Sequence, residues 1–296
     1  MVERLEEKRR FSHLAEAAVV KVISYLKNRK PTGFLGLNDS LLNNPVDFKD
    51  IDFDKDYVSF AYNFWDESKG DFSIFYGLVD EARKININKA SYDVLKSLFM
   101  QLGLDELKAD EVSSSIIDWR DQDSDLSSPN SAEDSYYRFL KNPYEAKDSD
   151  FEVLEELILI RGMDKDIFEK IKDYLTVYGD GKININTASS SVLVALGLEP
   201  HLARKIVSFR AGEDGILGTE DDNVFRNTEE IINRLGNILT EQEKNNLLKI
   251  VEQQVFCVDS NFFTLNCVVK SKQGKANLKV NVVLDRQGNV LFWKQH

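Results

Sequence analysis

Six carboxylates crowd into residues 118–134: Asp118, Asp121, Asp123, Asp125, Glu133 and Asp134. The alternation Asp121-x-Asp123-x-Asp125 lets a tight loop aim several oxygens at one hard cation, and calcium is the usual taker of such all-oxygen sets. Without a counter-charge, carboxylates this close repel one another, more strongly as they leave water. The loop is not an EF-hand. Counted from Asp121, its sixth position is Leu126, where the sharp turn needs glycine, and its twelfth is Ala132, with Glu133 one place late. A solvated acidic turn has the same composition, so spacing alone leaves both readings open. A second loop, residues 214–222, reads D-G-I-L-G-T-E-D-D. Its paired glycines permit tight turning, and Asp214, Thr219, Asp221 and Asp222 form a second candidate calcium set, with a plain surface turn as the competing account.

Other chemistry is poorly represented. The three histidines, His13, His201 and His296, are scattered without metal-ligand spacing. Neither a G-x-S-x-G nucleophile elbow nor a phosphate-binding G-x-x-x-x-G-K-[ST] loop occurs. No catalytic residue is selected, and no enzyme is expected. Against 38 basic side chains stand 50 acidic ones, a formal charge of −12. That balance repels polyphosphate backbones, so nucleic-acid binding is disfavoured. The two cysteines, Cys257 and Cys267, are too few for a disulfide scaffold; one bridge or two free thiols fit equally well. No run is long and apolar enough to span a bilayer, and no signal peptide opens the chain, so either the protein is cytosolic or a membrane segment has been removed.

The elements that must position these loops change character along the chain. Residues 3–28 read as an amphipathic helix, with Phe11, Leu14, Ala18, Val22 and Tyr25 at helical spacing and Pro31 and Gly33 beyond its end. From about 56 to 79 the pattern turns to strands: Tyr57, Val58, Phe60, Tyr62, Phe64 and Trp65 make one run, and Phe72, Ile74, Phe75 and Tyr76 another. The C-terminal stretch matches it. Phe262 to Val269 reads as a strand, Ala276, Leu278, Val280, Val282 and Leu284 alternate up to a turn at Gln287-Gly288, and Val290 to Trp293 closes.

Between these β-rich flanks lies an internal repeat. The string K-I-N-I-N occurs at 84–88 and again at 182–186, each copy followed by an alanine, an apolar pair and the tripeptide L-G-L. Each then enters a second helix that ends in arginine, Asp118-Trp119-Arg120 or Ser208-Phe209-Arg210. Two helices joined at a glycine make a helix-hairpin-helix-like unit, and residues 151–178 look like a third, related pair. The expected organisation is a scaffold domain begun by residues 1–88 and finished by 251–296, with an all-α domain inserted at 89–250. Helix-hairpin-helix units elsewhere hold DNA phosphates on hairpin amides, which makes a competence-type DNA-binding protein the rival reading. Here the hairpins L-G-L-D-E, R-G-M-D-K and L-G-L-E-P place acids where a phosphate would approach, so no nucleic-acid partner is expected.

The combination resembles the K-type minor pseudopilins of bacterial type II secretion, general secretion pathway protein K. The resembling pieces are Asp80-Glu81, Asp118-Trp119-Arg120-Asp121-Gln122-Asp123, Ala132-Glu133-Asp134 with Tyr136-Tyr137, Pro143-Tyr144, Leu154-Glu155-Glu156-Leu157 and Arg161-Gly162. Tyr174-Leu175-Thr176-Val177-Tyr178-Gly179, both I-N-I-N segments and the closing aromatic strand complete them, in order along most of the chain. The resemblance implies an α+β fold: a pilin-like domain, with a long N-terminal helix on an antiparallel sheet, and a large inserted α-helical domain. It implies calcium in the inserted domain, favouring the loop at 118–134. It also implies a role at the pseudopilus tip beside the I- and J-type minor pseudopilins, with filament initiation and protein export as the outcome. The apolar helix face Phe11, Leu14, Ala18, Val22 and Tyr25 is then expected to meet partner helices. The expected location is periplasmic, in a Gram-negative type envelope, held at the inner membrane by an N-terminal segment that this chain lacks.

Overall fold

The computed structural model describes residues 2–67, 69–274 and 277–296, with side chains from residue 5 onward. In chain order the first elements are α1 (Val2–Asn28), α2 (Pro45–Phe48), β1 (Ile51–Phe53), β2 (Asp56–Asp66), β3 (Asp71–Tyr76), β4 (Val79–Asp80) and β5 (Ile85–Asn86). Next come α3 (Tyr92–Gln101), α4 (Glu106–Arg120), α5 (Asp134–Tyr137), α6 (Lys165–Ile171), β6 (Leu175–Thr176) and β7 (Ile183–Asn184). The chain ends with α7 (Ser190–Ala195), α8 (Pro200–Arg210), α9 (Glu229–Leu235), α10 (Glu241–Glu252), β8 (Phe256–Cys257), β9 (Phe262–Ser271), β10 (Asn277–Asp285) and β11 (Val290–Gln295).

These elements form two compact units. One comprises Met1–Glu81, Ser208–Asn227 and Val258–His296, the other Ala82–Val207 and Thr228–Cys257. The segment 208–227, which the sequence pattern puts inside the helical block 89–250, therefore belongs to the sheet-bearing unit.

In that unit the sheet runs β1-β2-β9-β10-β11, with β3 added to β2 and β4 to β9, and every pairing is antiparallel. Strict alternation explains why. On β9, Phe263, Leu265, Cys267 and Val269 are buried, and on β10 so are Leu278, Val280, Val282 and Leu284, which gives both strands one apolar face. Ala276 of the expected alternation lies outside the described residues. Helix α1 packs on β2, β9 and β10. Phe11, Ala18 and Val22 are buried there, and Leu14 and Tyr25 are half-buried. The chain's own sheet thus covers most of the face expected to meet a partner, as a helix with one apolar stripe requires. Among the described residues, the large apolar side chains that α1 leaves outside are Leu5 and Val20, each 64% exposed.

The helical unit is built on the repeat. Ile85 and Asn86 pair in parallel with Leu175 and Thr176, and Ile183 and Asn184 pair in the same register with Phe256 and Cys257. Each first asparagine then folds its side chain back, Asn86 Oδ1 accepting from the Asn88 amide at 2.8 Å and Asn184 Oδ1 from the Asn186 amide at 3.0 Å. Ser91 and Ser189 next cap α3 and α7, each accepting at 3.4 Å from an amide three residues on. Each helix ends at a glycine with positive φ, Gly103 or Gly197, which turns the chain into α4 or α8. Helices α3 and α7 pack on each other. The unit is not all-α, because the K-I-N-I-N strings form ladders. The expected third pair is also weaker: residues 154–159 are a 3-10 turn rather than an α-helix. No disulfide joins the two cysteines.

Candidate metal centre

Helix α4 begins at Asp105, whose carboxylate accepts from the Lys108 amide at 2.9 Å, and it ends where Arg120 reaches the carbonyls of Ile87 and Ala90. That last contact ties the start of the acidic loop to the first I-N-I-N segment. Within the last turn Asp118 is fully buried, and both its oxygens accept from the Ser127 amide, at 3.0 and 3.3 Å. The next residue, Trp119, packs edge-on to Tyr137 and Tyr144 and nearly parallel to Phe151, making an apolar wall. The resembling motif residues thus meet in space. Arg161 adds a clamp, donating to the Ser131 carbonyl at 2.9 Å and pairing with Glu111 at 3.3 Å.

Against this wall three of the six expected carboxylates converge. Glu133 is 4% exposed, and its Oε1 has no hydrogen-bond partner. Burial, then the charge of Asp118, pushes its carboxyl up to about 7. Asp121 Oδ1 is likewise buried without a partner, and burial followed by the charges of Asp123 and Asp118 raises its carboxyl to about 6. Asp148 adds to the repulsion on both. Its amide donates to the Trp119 carbonyl at 3.1 Å, and its φ of +50° is one that aspartate tolerates better than most residues. Nothing in the spacing points to Asp148, which lies far along the chain from Asp121 and is returned by the Trp119 contact alone.

The other three play different parts. Asp123 is exposed at the rim and turns its carboxylate onto the Asp125 amide at 2.9 Å, and Asp125 is itself exposed. Asp134 faces away, accepting from the Ala146 amide at 2.9 Å and from Arg138 at 2.7 Å. Among the described residues, no group of three or more His, Cys, Asp or Glu side chains is placed so that it could hold a metal ion as it stands. Uncompensated carboxylates that have lost water repel one another, and a bound cation would offset that repulsion. The donor set still fits a hard divalent cation. It is all oxygen, and two buried carboxylate oxygens have nothing else to bind.

Residues 76–180, which contain this whole cluster, match the family described as type II secretion system (T2SS), protein K. The chain is 31% identical over 121 residues to type II secretion system protein K of Aeromonas hydrophila, and 28% identical over 140 residues to that of Pseudomonas aeruginosa. Those alignments cover 38% and 47% of this chain and only 37% and 42% of the relatives' own length. The crystal structure of the GspK-GspI-GspJ complex from the enterotoxigenic Escherichia coli type 2 secretion system holds a chain of similar fold, with a TM-score of 0.70. At 17% identity, that likeness covers 99% of this chain and 97% of that one.

The resemblance to protein K holds.

The second acidic loop lies outside the protein K match and behaves differently. Asp221 Oδ2 accepts from the amides of Glu213 and Asp214 at 2.7 and 3.0 Å, and Oδ1 accepts from the Thr219 hydroxyl at 2.6 Å. The Thr219 bond, then the Asp214 amide, draws its carboxyl down to about 2. Asp222 accepts from the Gly218 amide at 2.7 Å, while burial raises it to about 6. Asp214 accepts from the Ile216 amide at 2.7 Å. A Cβ on Gly212 would lie 2.4 Å from Asp221 Oδ2, so the glycine is what lets the backbone close on that carboxylate. None of these oxygens is buried and unsatisfied. Within this protein K-like chain, 214–222 is a self-bonded turn and the weaker metal candidate.

Proposed function

We propose that this chain is the periplasmic part of a K-type minor pseudopilin, a non-enzymatic component that joins I- and J-type minor pseudopilins at the tip of the type II secretion pseudopilus. Its sheet unit is a pilin-like scaffold and its second unit an inserted helical domain with helix-hairpin-helix-like repeats. The tip role follows from bulk: a helical unit of this size suits the end of a filament better than its shaft. The observation that carries the proposal is the fold likeness over 99% of the chain, from α1 to β11, to a chain of a GspK-GspI-GspJ complex. Partner contact on α1 would use Leu5 and Val20, large apolar side chains that stand exposed on it.

Calcium is the proposed resident ion of the acidic cluster. Asp118, Asp121 and Glu133 would hold it, with Asp148 beside them, and its charge would offset their repulsion and fix the loop by linkage. The DNA-binding alternative fares poorly on geometry. The Glu199 amide at the second hairpin donates to Asn246 Oδ1 at 3.1 Å, and the Gly197 carbonyl accepts from the same side chain at 3.3 Å, so that hairpin is bonded to α10 rather than open to a phosphate.

The direct test is co-purification of the chain with the I- and J-type pseudopilins of its own genome. A stable three-part complex, weakened by Leu5→Asp and Val20→Asp, is expected. Free migration of all three proteins would remove the assignment.

A further inference from the structure

The acidic loop is attached to α4 at two places, and only one of them involves a candidate ligand. Asp118 takes the Ser127 amide. Two helical turns earlier, Asp110 Oδ2 accepts from the Ser128 hydroxyl at 3.0 Å and from Asn130 Nδ2 at 2.9 Å, while its Oδ1 accepts from the Tyr92 hydroxyl. Lys96 stands 3.9 Å from that second oxygen. Both carboxylate oxygens of Asp110 are therefore engaged by protein donors, and eight residues of helix rise, roughly 12 Å, separate it from Asp118. It is not a cation ligand.

Residues 127–130 consequently run back along α4, away from Asp118 and toward Asp110. The chain then reverses. The Ser131 amide and hydroxyl both donate to the Ser128 carbonyl, at 3.0 and 2.7 Å, and Arg161 holds the Ser131 carbonyl at 2.9 Å. Two residues later comes Glu133, buried and without a partner for Oε1. The position of that carboxylate depends on where the reversal at 128–131 is pinned, and Asp110 pins it at Ser128 and Asn130 while Arg161 holds Ser131.

We propose that Asp110, oriented by Tyr92, is a positioning residue for a hard divalent cation at the 118–133 cluster: by gripping Ser128 and Asn130 it presents Glu133 to Asp118 and Asp121 before the ion arrives. This rests on the calcium assignment above. Outer partners of ligating groups typically set metal affinity by 10- to 100-fold, because a loop that is already arranged loses less freedom on binding.

The test is calcium titration by calorimetry on the full chain, wild type against Asp110→Ala, Tyr92→Phe and Asn130→Ala. Each protein is also melted in chelator. The expected result is a calcium Kd weakened roughly 10-fold or more in Asp110→Ala and in the same direction in Asn130→Ala. The calcium-induced rise in melting temperature should shrink while the chelator melting temperature of Asn130→Ala stays near wild type. Asn130→Ala removes one of the two loop-side contacts on Asp110 without touching α4, so it decides the matter even if Asp110→Ala does not fold. Unchanged Kd values in these variants, with melting lowered equally with and without calcium, would overturn the proposal and leave the site intact. A wild type that does not bind calcium overturns the assignment beneath it, and the proposal with it.

Discussion

Arg10 of α1 donates two hydrogen bonds, at 2.9 and 3.2 Å, to the two carboxylate oxygens of Asp56, the first residue of β2 and only 1% exposed. This fork fixes one point of the helix on the sheet. Removing Arg10 leaves the buried Asp56 carboxyl without these two hydrogen bonds. Since the arginine is itself 44% exposed, water recovers part of the loss. Arg10→Ala is expected to lower the stability of the sheet unit by about 1.5 kcal/mol, read as the shift of its urea midpoint. An unshifted midpoint would show that the pair is ornamental.

A second prediction concerns Gly77, between β3 and β4. Its φ is +154°, and a Cβ there would sit 2.6 Å from the carbonyl oxygens of both Leu41 and Leu42. Its amide donates to the Phe60 carbonyl at 3.0 Å, so the backbone has no room to retreat. Gly77→Ala combines strain with a clash against main chain, and a loss of about 3 kcal/mol is expected. A variant melting within a degree of wild type would refute the close approach.

Much of this architecture is readable from local pattern. Period-two alternation announces β9 and β10, since a half-buried sheet enforces it residue by residue. The K-I-N-I-N strings announce the repeat through the Asx turns of Asn86 and Asn184, which need only their own neighbours. What stays hidden depends on distant partners. Strands β6 and β8 are two residues long and exist because Thr176 and Cys257 find Asn86 and Asn184 across the unit. The loop at 208–227 joins the sheet unit because Gly218 packs against Phe75 of β3, so closely that a Cβ would lie 2.7 Å from that ring. In the acidic cluster, spacing offers Asp118, Asp121, Asp123, Asp125, Glu133 and Asp134 together and does not sort them. The exclusion of Asp134 and the arrival of Asp148 follow only from Arg138 and the Trp119 carbonyl.

The cysteines give a third prediction. Burial among β-sheet side chains pushes the Cys267 thiol up to about 12, so essentially no thiolate forms at neutral pH, whereas Cys257 is half-buried. A thiol reagent should modify Cys257 first and reach Cys267 only on unfolding. Equal rates at both positions in the folded chain would contradict the burial of β9.

The fourth prediction is a pH dependence that changes sign with calcium. Burial, aided by Asp118, raises Glu133 to about 7; burial with Asp123 and Asp118 raises Asp121 to about 6; and burial raises Asp222 to about 6. A carboxyl whose folded pKa lies above its unfolded value binds a proton on folding. Between the ordinary carboxylate range and about pH 7, the folded state therefore holds more protons, and stability falls as pH rises. In chelator, the melting temperature is expected to climb as the buffer goes from about pH 8 to about pH 5.5. Glu243 opposes this trend only in stronger acid, because the Lys205 hydrogen bond holds it at about 2 and its contribution is lost below the ordinary range. Saturating calcium should reverse the slope, since the ion binds deprotonated carboxylates and competes with protons for them. Glu133→Gln removes the largest proton-linked group, so its chelator curve should be flatter and its calcium response weaker. Parallel pH profiles with and without calcium would mean that the cluster titrates as an ordinary acidic surface.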